Sequence, residues 1–134
     1  VQKDALCITE GLLERNEVQL RVTTYLSCHS KIETVLPPSA KGRIRAVTFN
    51  LGYLPKGDKS IKTSEETTLP AIRIAYEWLA RRGILSILCY RGHPGGKSEE
   101  KEIRKLIQER GWKNETIAGS DSEESPVLHW IEKP

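Results

Sequence analysis

The chain has 134 residues, of which 37% are hydrophobic and 29% are charged, and its net charge is +3. This length is enough for one domain with a hydrophobic core and too short for two ordinary domains. No apolar run approaches the roughly 18 residues that a membrane span requires, so an integral membrane protein is not expected. The net charge is compatible with nucleic-acid binding but does not require it.

The sequence contains no methionine, so we do not expect translation to begin at Val1. The three cysteines (Cys7, Cys28 and Cys89) form no CxxC pair. This pattern favours reduced thiols and an intracellular location. The N-terminus also lacks the apolar core of a signal peptide.

The N-terminal third predicts three elements. Apolar residues at helical spacing predict a helix over Lys3–Asn16. The β-branched run within Gln19–Leu26 predicts a strand, and Lys31–Leu36 predicts a short helix that ends before two prolines. Ile44–Leu51 then predicts a second strand, apolar towards its end as in a buried parallel strand.

A strong helix is predicted from Leu69 to Arg82. Thr68 is a suitable cap, and Pro70 would then lie in the first turn. The basic residues and glycine at 81–83 are typical of a helix end.

Four further elements complete the prediction. They are a strand over Ile84–Tyr90, a helix from Ser98 to just before Gly111, and a closely joined strand pair, Trp112–Ala118 and Pro126–Glu132. The alternation of helices and strands predicts an α/β fold with a mainly parallel sheet, helices on both faces and an antiparallel C-terminal strand pair.

In open sheets of this kind, ligands bind beyond the carboxyl ends of the strands. Three loops fall there: Ser27–His29, Asn50–Lys59 and Arg91–Lys97. We therefore expect the functional residues to gather at one edge of the sheet.

The loop that begins at Asn50 offers polar and aromatic groups. The Asn50 amide is both donor and acceptor and could hold an amine, and Tyr53 could stack on a base. Composition alone favours a purely structural role, with Asn50 capping the strand and with Gly52 and Pro55 shaping a turn.

Further along the same loop, Asp58 could act as a base or an orienting group, and Lys56, Lys59 and Lys62 could contact phosphates. A solvated loop would also account for these residues. The loop lacks GxxxxGK[ST] spacing, so a nucleoside-triphosphatase is not expected.

The histidines are candidates for proton transfer. His93 could be a general base or an orienting partner, and the same choice applies to His29. A nucleophilic pair of Cys28 with His93 stays open. The spacing of the histidines and cysteines does not suit a metal, so no zinc site is expected.

Two long motifs, Phe49–Ser60 (FNLGYLPKGDKS) and Tyr90–Lys97 (YRGHPGGK), together with Thr67-Thr68 and the Glu99-Glu100 pair, resemble the family described as "putative rRNA methylase". The resemblance extends over the whole chain. It implies a Rossmann-like class I fold and S-adenosylmethionine (SAM) as cofactor. Bacterial members are associated with methylating the aminomethyl group of a wobble (thio)uridine in tRNA, so tRNA, through its anticodon stem-loop, is the implied partner; rRNA stays open.

The resemblance also implies site residues. Gln2 should lie near the adenosine of the cofactor, and Cys28 and His29 should line the cofactor pocket, with Cys28 where the family has serine. Asn50, followed by Leu51 and Gly52, takes the position of the asparagine in the Asn-Pro-Pro-Tyr motif of amino-methyltransferases.

On this reading Asn50 and nearby carbonyls orient the amine, Tyr53 stacks on the target base, and Asp58 or His93 accepts the departing proton. Substrate contacts are expected along both loops, at Tyr53, Leu54, Pro55, Lys56, Lys59, Tyr90, Arg91, Gly92, His93 and Lys97. No metal is implied, and a homodimer is compatible with the family.

One part of the family pattern is absent: the glycine-rich cofactor loop and the acidic residue for the ribose. The family's strand order is 3-2-1-4-5-7-6, so we expect residues 1–134 to be one incomplete methyltransferase domain, extended N-terminally by about 40 to 60 residues. The chain alone is expected to bind the cofactor poorly. A non-catalytic RNA-binding module, or a fragment completed by another chain, are the alternatives. The location is cytoplasmic for a bacterial source and can be organellar for a eukaryotic one.

Overall fold

The computed structural model describes residues 2–52 and 62–134. The helices are α1 (Lys3–Arg15), α2 (Ile32–Val35), α3 (Glu65–Trp78) and α4 (Gly96–Glu109), and the strands are β1 (Ile44–Leu51), β2 (Leu79–Cys89), β3 (Asn114–Ala118) and β4 (Val127–Glu132). Short 3-10 turns occur at Gln19–Arg21, His29–Lys31 and Pro38–Ala40. No helix in the described ranges is both long and apolar enough to cross a membrane.

The four strands form one sheet in the order β1-β2-β4-β3. β1 and β2 are parallel, and β4 is antiparallel to both β2 and β3. This order equals the 4-5-7-6 end of the strand order that the family resemblance implied. The antiparallel C-terminal pair is confirmed, whereas the described sheet is mixed rather than mainly parallel.

The strand predicted over Gln19–Leu26 is wrong. Gln19–Arg21 forms a 3-10 turn and the following residues are irregular. The β-branched residues favour an extended backbone, but a strand also needs a partner for its N–H and C=O groups. The described residues supply no such partner, since β1 pairs only with β2.

The boundaries of α3 differ from the prediction at both ends. The helix begins at Glu65, after Ser64, so Pro70 lies inside it and Thr68 does not cap it. It ends at Trp78 because Leu79 pairs with Ile44 in the sheet. Arg81 and Arg82 therefore belong to β2.

Lys133 caps the C-terminus of α3, the role that the sequence had suggested for Arg81 and Arg82. Its ammonium group donates to the carbonyls of Tyr76, Glu77 and Leu79 at 3.0, 3.0 and 2.9 Å. A cation here is favourable because the carbonyls of the last helical turn are otherwise unpaired and carry partial negative charge. The cap comes from a residue more than fifty positions away, so the local sequence could not reveal it.

The core lies between the sheet and helices α3 and α4, which pack against each other on one face. Fully buried side chains include Ile72 from α3, Leu85 and Ile87 from β2, and Ile103 from α4. Burial of such side chains contributes about 1.5–3 kcal/mol each.

The expectation of helices on both faces is wrong for the described residues. On the face turned away from α3 and α4, Ala46 and Thr48 are exposed, and Ile117 and Trp130 are 50% and 40% exposed. Helix α1 packs on the 3-10 turn at Gln19–Arg21 instead. None of its side chains is fully buried, and Ile8 and Leu12 of its apolar stripe are 61% and 48% exposed.

Candidate functional site

The site begins where the two parallel strands end side by side. Leu51 of β1 pairs with Cys89 of β2, so the segments that follow leave the sheet next to each other. The backbone N–H of Tyr90 donates to the carbonyl of Leu51 at 3.4 Å, just beyond this pair. Asn50 is exposed at the same end of β1.

The two loops are in contact through Gly52. Its φ of +148° is one that residues with side chains rarely adopt. A Cβ at Gly52 would lie 3.6 Å from the Tyr90 side chain and 3.7 Å from His93 Nε2. Tyr90 and His93, predicted from one motif, thus face Gly52, predicted from the other.

The loop that begins at Tyr90 is also held by a close contact, at Gly96. A Cβ at Gly96 would lie 2.3 Å from the carbonyl oxygen of Tyr90 and 3.0 Å from His93 Nε2. No side chain fits at that distance, so glycine is required for the loop to fold back onto the start of α4. His93 Nδ1 lies 3.2 Å from the Pro94 carbonyl.

Residues 62 and 63 lie at the same edge. The N–H of Thr63 donates to the carbonyl of Gly52 at 2.9 Å. The Lys62 ammonium donates to the Pro94 carbonyl. Residues 62 and 63 therefore join the start of the first loop to the turn of the second.

The third predicted loop reaches this edge through His29. Its ring lies edge-on to Phe49 of β1, with 5.9 Å between ring centroids. Its Nε2 lies 3.2 Å from Thr67 Oγ1, and that hydroxyl donates to the Ser64 carbonyl. A hydroxyl has one hydrogen, so Nε2–H is the donor and Nδ1 is left as an acceptor.

Burial lowers the pKa of His29, and the nearby negative charge of Glu99 opposes this effect in part. The imidazole is therefore neutral at physiological pH. A neutral ring agrees with the tautomer that the Thr67 contact requires.

Cys28, beside His29, has an activated thiol. The Ser30 hydroxyl donates to Cys28 Sγ at 3.2 Å. This hydrogen bond stabilises the thiolate and, with a backbone bond from Ser30, lowers the pKa of Cys28. Cys89 is the opposite case, because burial raises the pKa of its thiol to about 12.

The guanidinium of Arg91 holds the polar segment 119–125. It donates to the carbonyls of Ser125 and Ser122 at 2.7 and 3.0 Å. Nearby, Lys97 forms an exposed ion pair with Glu123 at 2.9 Å. The segment that the sequence indicated only as a solvated loop therefore packs beside the candidate site.

The structure brings most of the described candidates together at one edge of the sheet. Gln2 occupies the N-cap position of α1, and its side chain makes no cap hydrogen bond. Cys28, His29, Asn50, Leu51, Gly52, Tyr90, Arg91, Gly92, His93 and Lys97 all lie on the loops or strand ends at the carboxyl edge. Tyr53, Leu54, Pro55, Lys56, Asp58 and Lys59 lie outside the described residues.

Sequence reasoning missed the buried carboxylate of Glu99, which is 3% exposed. It accepts hydrogen bonds from the hydroxyls of Thr63 and Thr68. The sequence does contain a pattern that indicates the burial of Glu99. Glu99 lies four residues before Ile103 and seven before Leu106, and so extends the apolar stripe of α4 by one turn.

Comparisons with known proteins identify the family of the chain. The model of the family described as "Putative rRNA methylase" matches residues 1–129. A crystal structure of a "putative rRNA-methylase" from Clostridium thermocellum has a TM-score of 0.89 at 29% identity, covering 100% of this chain and 72% of that one. A "putative methyltransferase" from Streptococcus mutans, in complex with SAH, has a TM-score of 0.84 at 30% identity, with 100% and 73% covered.

One curated relative is similar in sequence. The chloroplastic "tRNA (mnm(5)s(2)U34)-methyltransferase" of Arabidopsis thaliana is 43% identical over 102 residues. The match covers 74% of this chain and 36% of the relative, so the chain spans about a third of that protein's length. The family model and the structural matches together show that the chain belongs to the rRNA methylase family.

Proposed function

We propose that the protein is a SAM-dependent methyltransferase that acts on RNA, and that its substrate is the aminomethyl group of a wobble (thio)uridine in tRNA. The observation that carries the proposal is the contact of the Gly52 turn with Tyr90 and His93 at the carboxyl edge of the sheet. Ligands of open α/β sheets bind at such an edge. The name of the Arabidopsis relative supports the choice of substrate.

The residues present fit one side of a SAM site. The backbone at Gly52 carries no side chain and has a φ that favours glycine, so a ligand can approach it closely. Gly52, Leu51 and Asn50 at the end of β1, with Cys28 and His29 beside them, would hold the cofactor. SAM supplies an activated methyl group when it is bound.

The protein's own task is to hold the amine in line and without its extra proton. The exposed Asn50 amide can accept a hydrogen from the amine and so direct the nitrogen lone pair. His93, whose side chain lies against Gly52, keeps its proposed role as an acceptor of the proton that leaves the amine. Asp58 and Tyr53 keep their proposed roles as an alternative base and as the stacking partner of the target base.

RNA binding is proposed for the basic residues of the same edge. Lys97 is half-exposed and its partner Glu123 is 87% exposed, so an RNA phosphate can replace that ion pair at low cost. Lys56 and Lys59 are proposed as further phosphate contacts, and Arg91 as a substrate-binding residue that acts by holding the segment 119–125.

The substrate proposal is tested by transfer of labelled methyl groups from SAM. Four RNAs are compared: tRNA with an aminomethyl wobble thiouridine, tRNA with its unthiolated counterpart, tRNA with unmodified uridine, and rRNA. We expect transfer to the first two only. Transfer to rRNA alone would overturn the tRNA assignment.

A non-catalytic RNA-binding module remains the second candidate, favoured by the basic residues along the edge. Binding of aminomethyl-uridine tRNA without any methyl transfer would support it. Binding of SAM in a calorimetric titration would favour the enzyme, because only the enzyme requires the cofactor.

We infer that the protein acts inside the cell, and inside an organelle if its source is eukaryotic. The described cysteines are all free, with Cys89 buried, which suits a reducing compartment. Fractionation of the source cells, with antibody detection, tests this location.

A further inference from the structure

Glu99 joins three elements that meet beside the candidate site. It lies in the first turn of α4 and is 3% exposed. Its Oε1 accepts a hydrogen bond of 2.6 Å from the Thr68 hydroxyl of α3. Its Oε2 accepts one of 2.8 Å from the Thr63 hydroxyl, which precedes α3.

Each threonine leads directly to a site residue. The N–H of Thr63 donates to the Gly52 carbonyl at 2.9 Å, so Thr63 holds the turn that follows Asn50. Thr68 is adjacent to Thr67, whose hydroxyl receives the hydrogen bond of His29. One carboxylate therefore fixes two of the three loops relative to α4.

The same residue is poorly suited to a purely stabilising role. Burying a carboxylate costs free energy that hydrogen bonds from neutral hydroxyls only partly offset. The neighbouring Glu100 forms an ion pair with Arg104 and accepts a hydrogen bond from the His129 ring. In residues 2–52 and 62–134 no ion pair involves Glu99.

We propose that Glu99 is a positioning residue of the methyl-transfer site, which holds the Asn50–Gly52 turn through Thr63 and the His29 ring through Thr68 and Thr67. This inference rests on the proposed function. Glu99 touches neither cofactor nor substrate in this role. Its effect is on the alignment of groups that do, and small misplacements in such sites reduce rates strongly.

The kinetic test compares Glu99→Gln with Glu102→Gln, a matched change at a partly exposed carboxylate of the same helix. For Glu99→Gln we expect kcat to fall by about tenfold or more, with KM for RNA changed less than about threefold. Glu102→Gln should behave like the parent protein. Equal kcat in all three proteins would overturn the proposal, and so would a loss of kcat that only follows a loss of folded protein.

Substitutions at Thr63 and Thr68 provide a second test, which preserves the shape of the core. Thr63→Val and Thr68→Val remove one hydroxyl each at nearly constant volume, whereas Thr63→Ser and Thr68→Ser keep it. We expect the valine variants to lower kcat and the serine variants to restore most of it. Full activity in both valine variants would contradict the proposed role of the carboxylate.

A third readout needs neither cofactor nor RNA. The charge of Glu99 opposes the effect of burial on His29, so Glu99→Gln should shift the NMR titration of the His29 ring to lower pH. If the shift occurs but the parent protein transfers no methyl group to any RNA, the proposed function fails while the geometric link stands. An unchanged His29 titration overturns the link itself.

Discussion

His129 Nε2 lies 3.0 Å from Oε1 of Glu100, and the imidazole is completely buried. The carboxylate can only accept, so Nε2–H is the donor and Nδ1 accepts from the Thr116 hydroxyl at 3.3 Å. Arg104 holds the same Glu100 oxygen at 2.7 Å. A neutral histidine thus links β4 to both β3 and α4.

The buried pair of His129 and Glu100 makes the free energy of unfolding sensitive to mild acid. Burial lowers the pKa of His129, an effect larger than the opposing influence of Glu100, and burial also lowers the pKa of His29. The unfolded chain then binds protons more readily than the folded one. Stability is fully present above the ordinary pKa of 6.5 and is lost as the pH falls below it.

We therefore expect the free energy of unfolding in urea to decline between pH 7.5 and 5.5. His129→Gln keeps a donor for Glu100 but does not titrate, so its decline should be shallower, with His29 responsible for the remainder. At pH 7.5 the variant should be less stable by about 1–3 kcal/mol because packing and a buried hydrogen bond are altered. Parallel pH curves for both proteins would contradict this account.

Asn50 offers the most direct test of the site. Asn50→Ala should lower kcat for methyl transfer about 100-fold, because the amine loses its orienting acceptor. Thr48→Ala is a matched control, since Thr48 is exposed on the same face of β1 but two residues before the edge. A rate for Asn50→Ala close to that of the control would remove Asn50 from the active site.

Cys28 and Cys89 should react with iodoacetamide at very different rates at pH 7.5. In a Cys7→Ser background, Cys28 should react readily because its thiolate is stabilised, and Cys89 should stay unmodified until the protein unfolds. Ser30→Ala removes the hydrogen bond to Sγ and should slow the reaction of Cys28. Mass spectrometry of the labelled peptides measures all three effects, and faster labelling of Cys89 than of Cys28 would refute them.

Arg91 and Lys97 should affect RNA binding in different ways. Two donors of Arg91 are already bound to carbonyls of Ser122 and Ser125, so Arg91→Ala should weaken binding without changing its salt dependence. Lys97→Ala should reduce the slope of log K against log salt by about 0.7, the value for one single-stranded phosphate contact. A reduced slope for Arg91→Ala would show that its guanidinium binds phosphate directly.

Alanine substitutions at Gly96 and at Gly11 should have opposite effects on stability. Gly96→Ala would place a Cβ 2.3 Å from the Tyr90 carbonyl, so it should destabilise the protein although it lies in a helix. Gly11→Ala, in α1 with no atom within 4 Å of the added Cβ, should add up to about 1 kcal/mol of helix stability. Urea unfolding and circular dichroism compare the two, and a stable Gly96→Ala variant would be the contrary result.

The amino-acid sequence predicts those parts of the fold that depend on local pattern. β1 was predicted with the observed bounds, but only one of its faces is buried: Phe49 and Leu51 are buried, whereas Thr48 and Asn50 are exposed. The gathering of loops at the carboxyl edge followed from parallel pairing alone, and the contact of Gly52 with Tyr90 confirms it. The chemical roles within those loops stay predictions.

The parts that depend on distant partners could not be predicted in this way. The run Gln19–Leu26 has the composition of a strand but no pairing partner in the described residues. The end of α3 is set by the pairing of Leu79 with Ile44 and is capped by Lys133, and the segment 119–125 is held by Arg91. Each of these outcomes is decided by a hydrogen bond between residues far apart in the sequence.

The position of β4 has a consequence for how the protein folds. β4 follows β3 in the chain, yet it lies between β2 and β3 and contributes hydrogen bonds to both. β3 therefore has no sheet neighbour until Val127–Glu132 has been synthesised, and the edge of β2 stays open until then. Assembly of this half of the sheet must follow synthesis of β4, and a ribosome paused before residue 127 would hold a nascent chain with an unpaired, aggregation-prone strand edge.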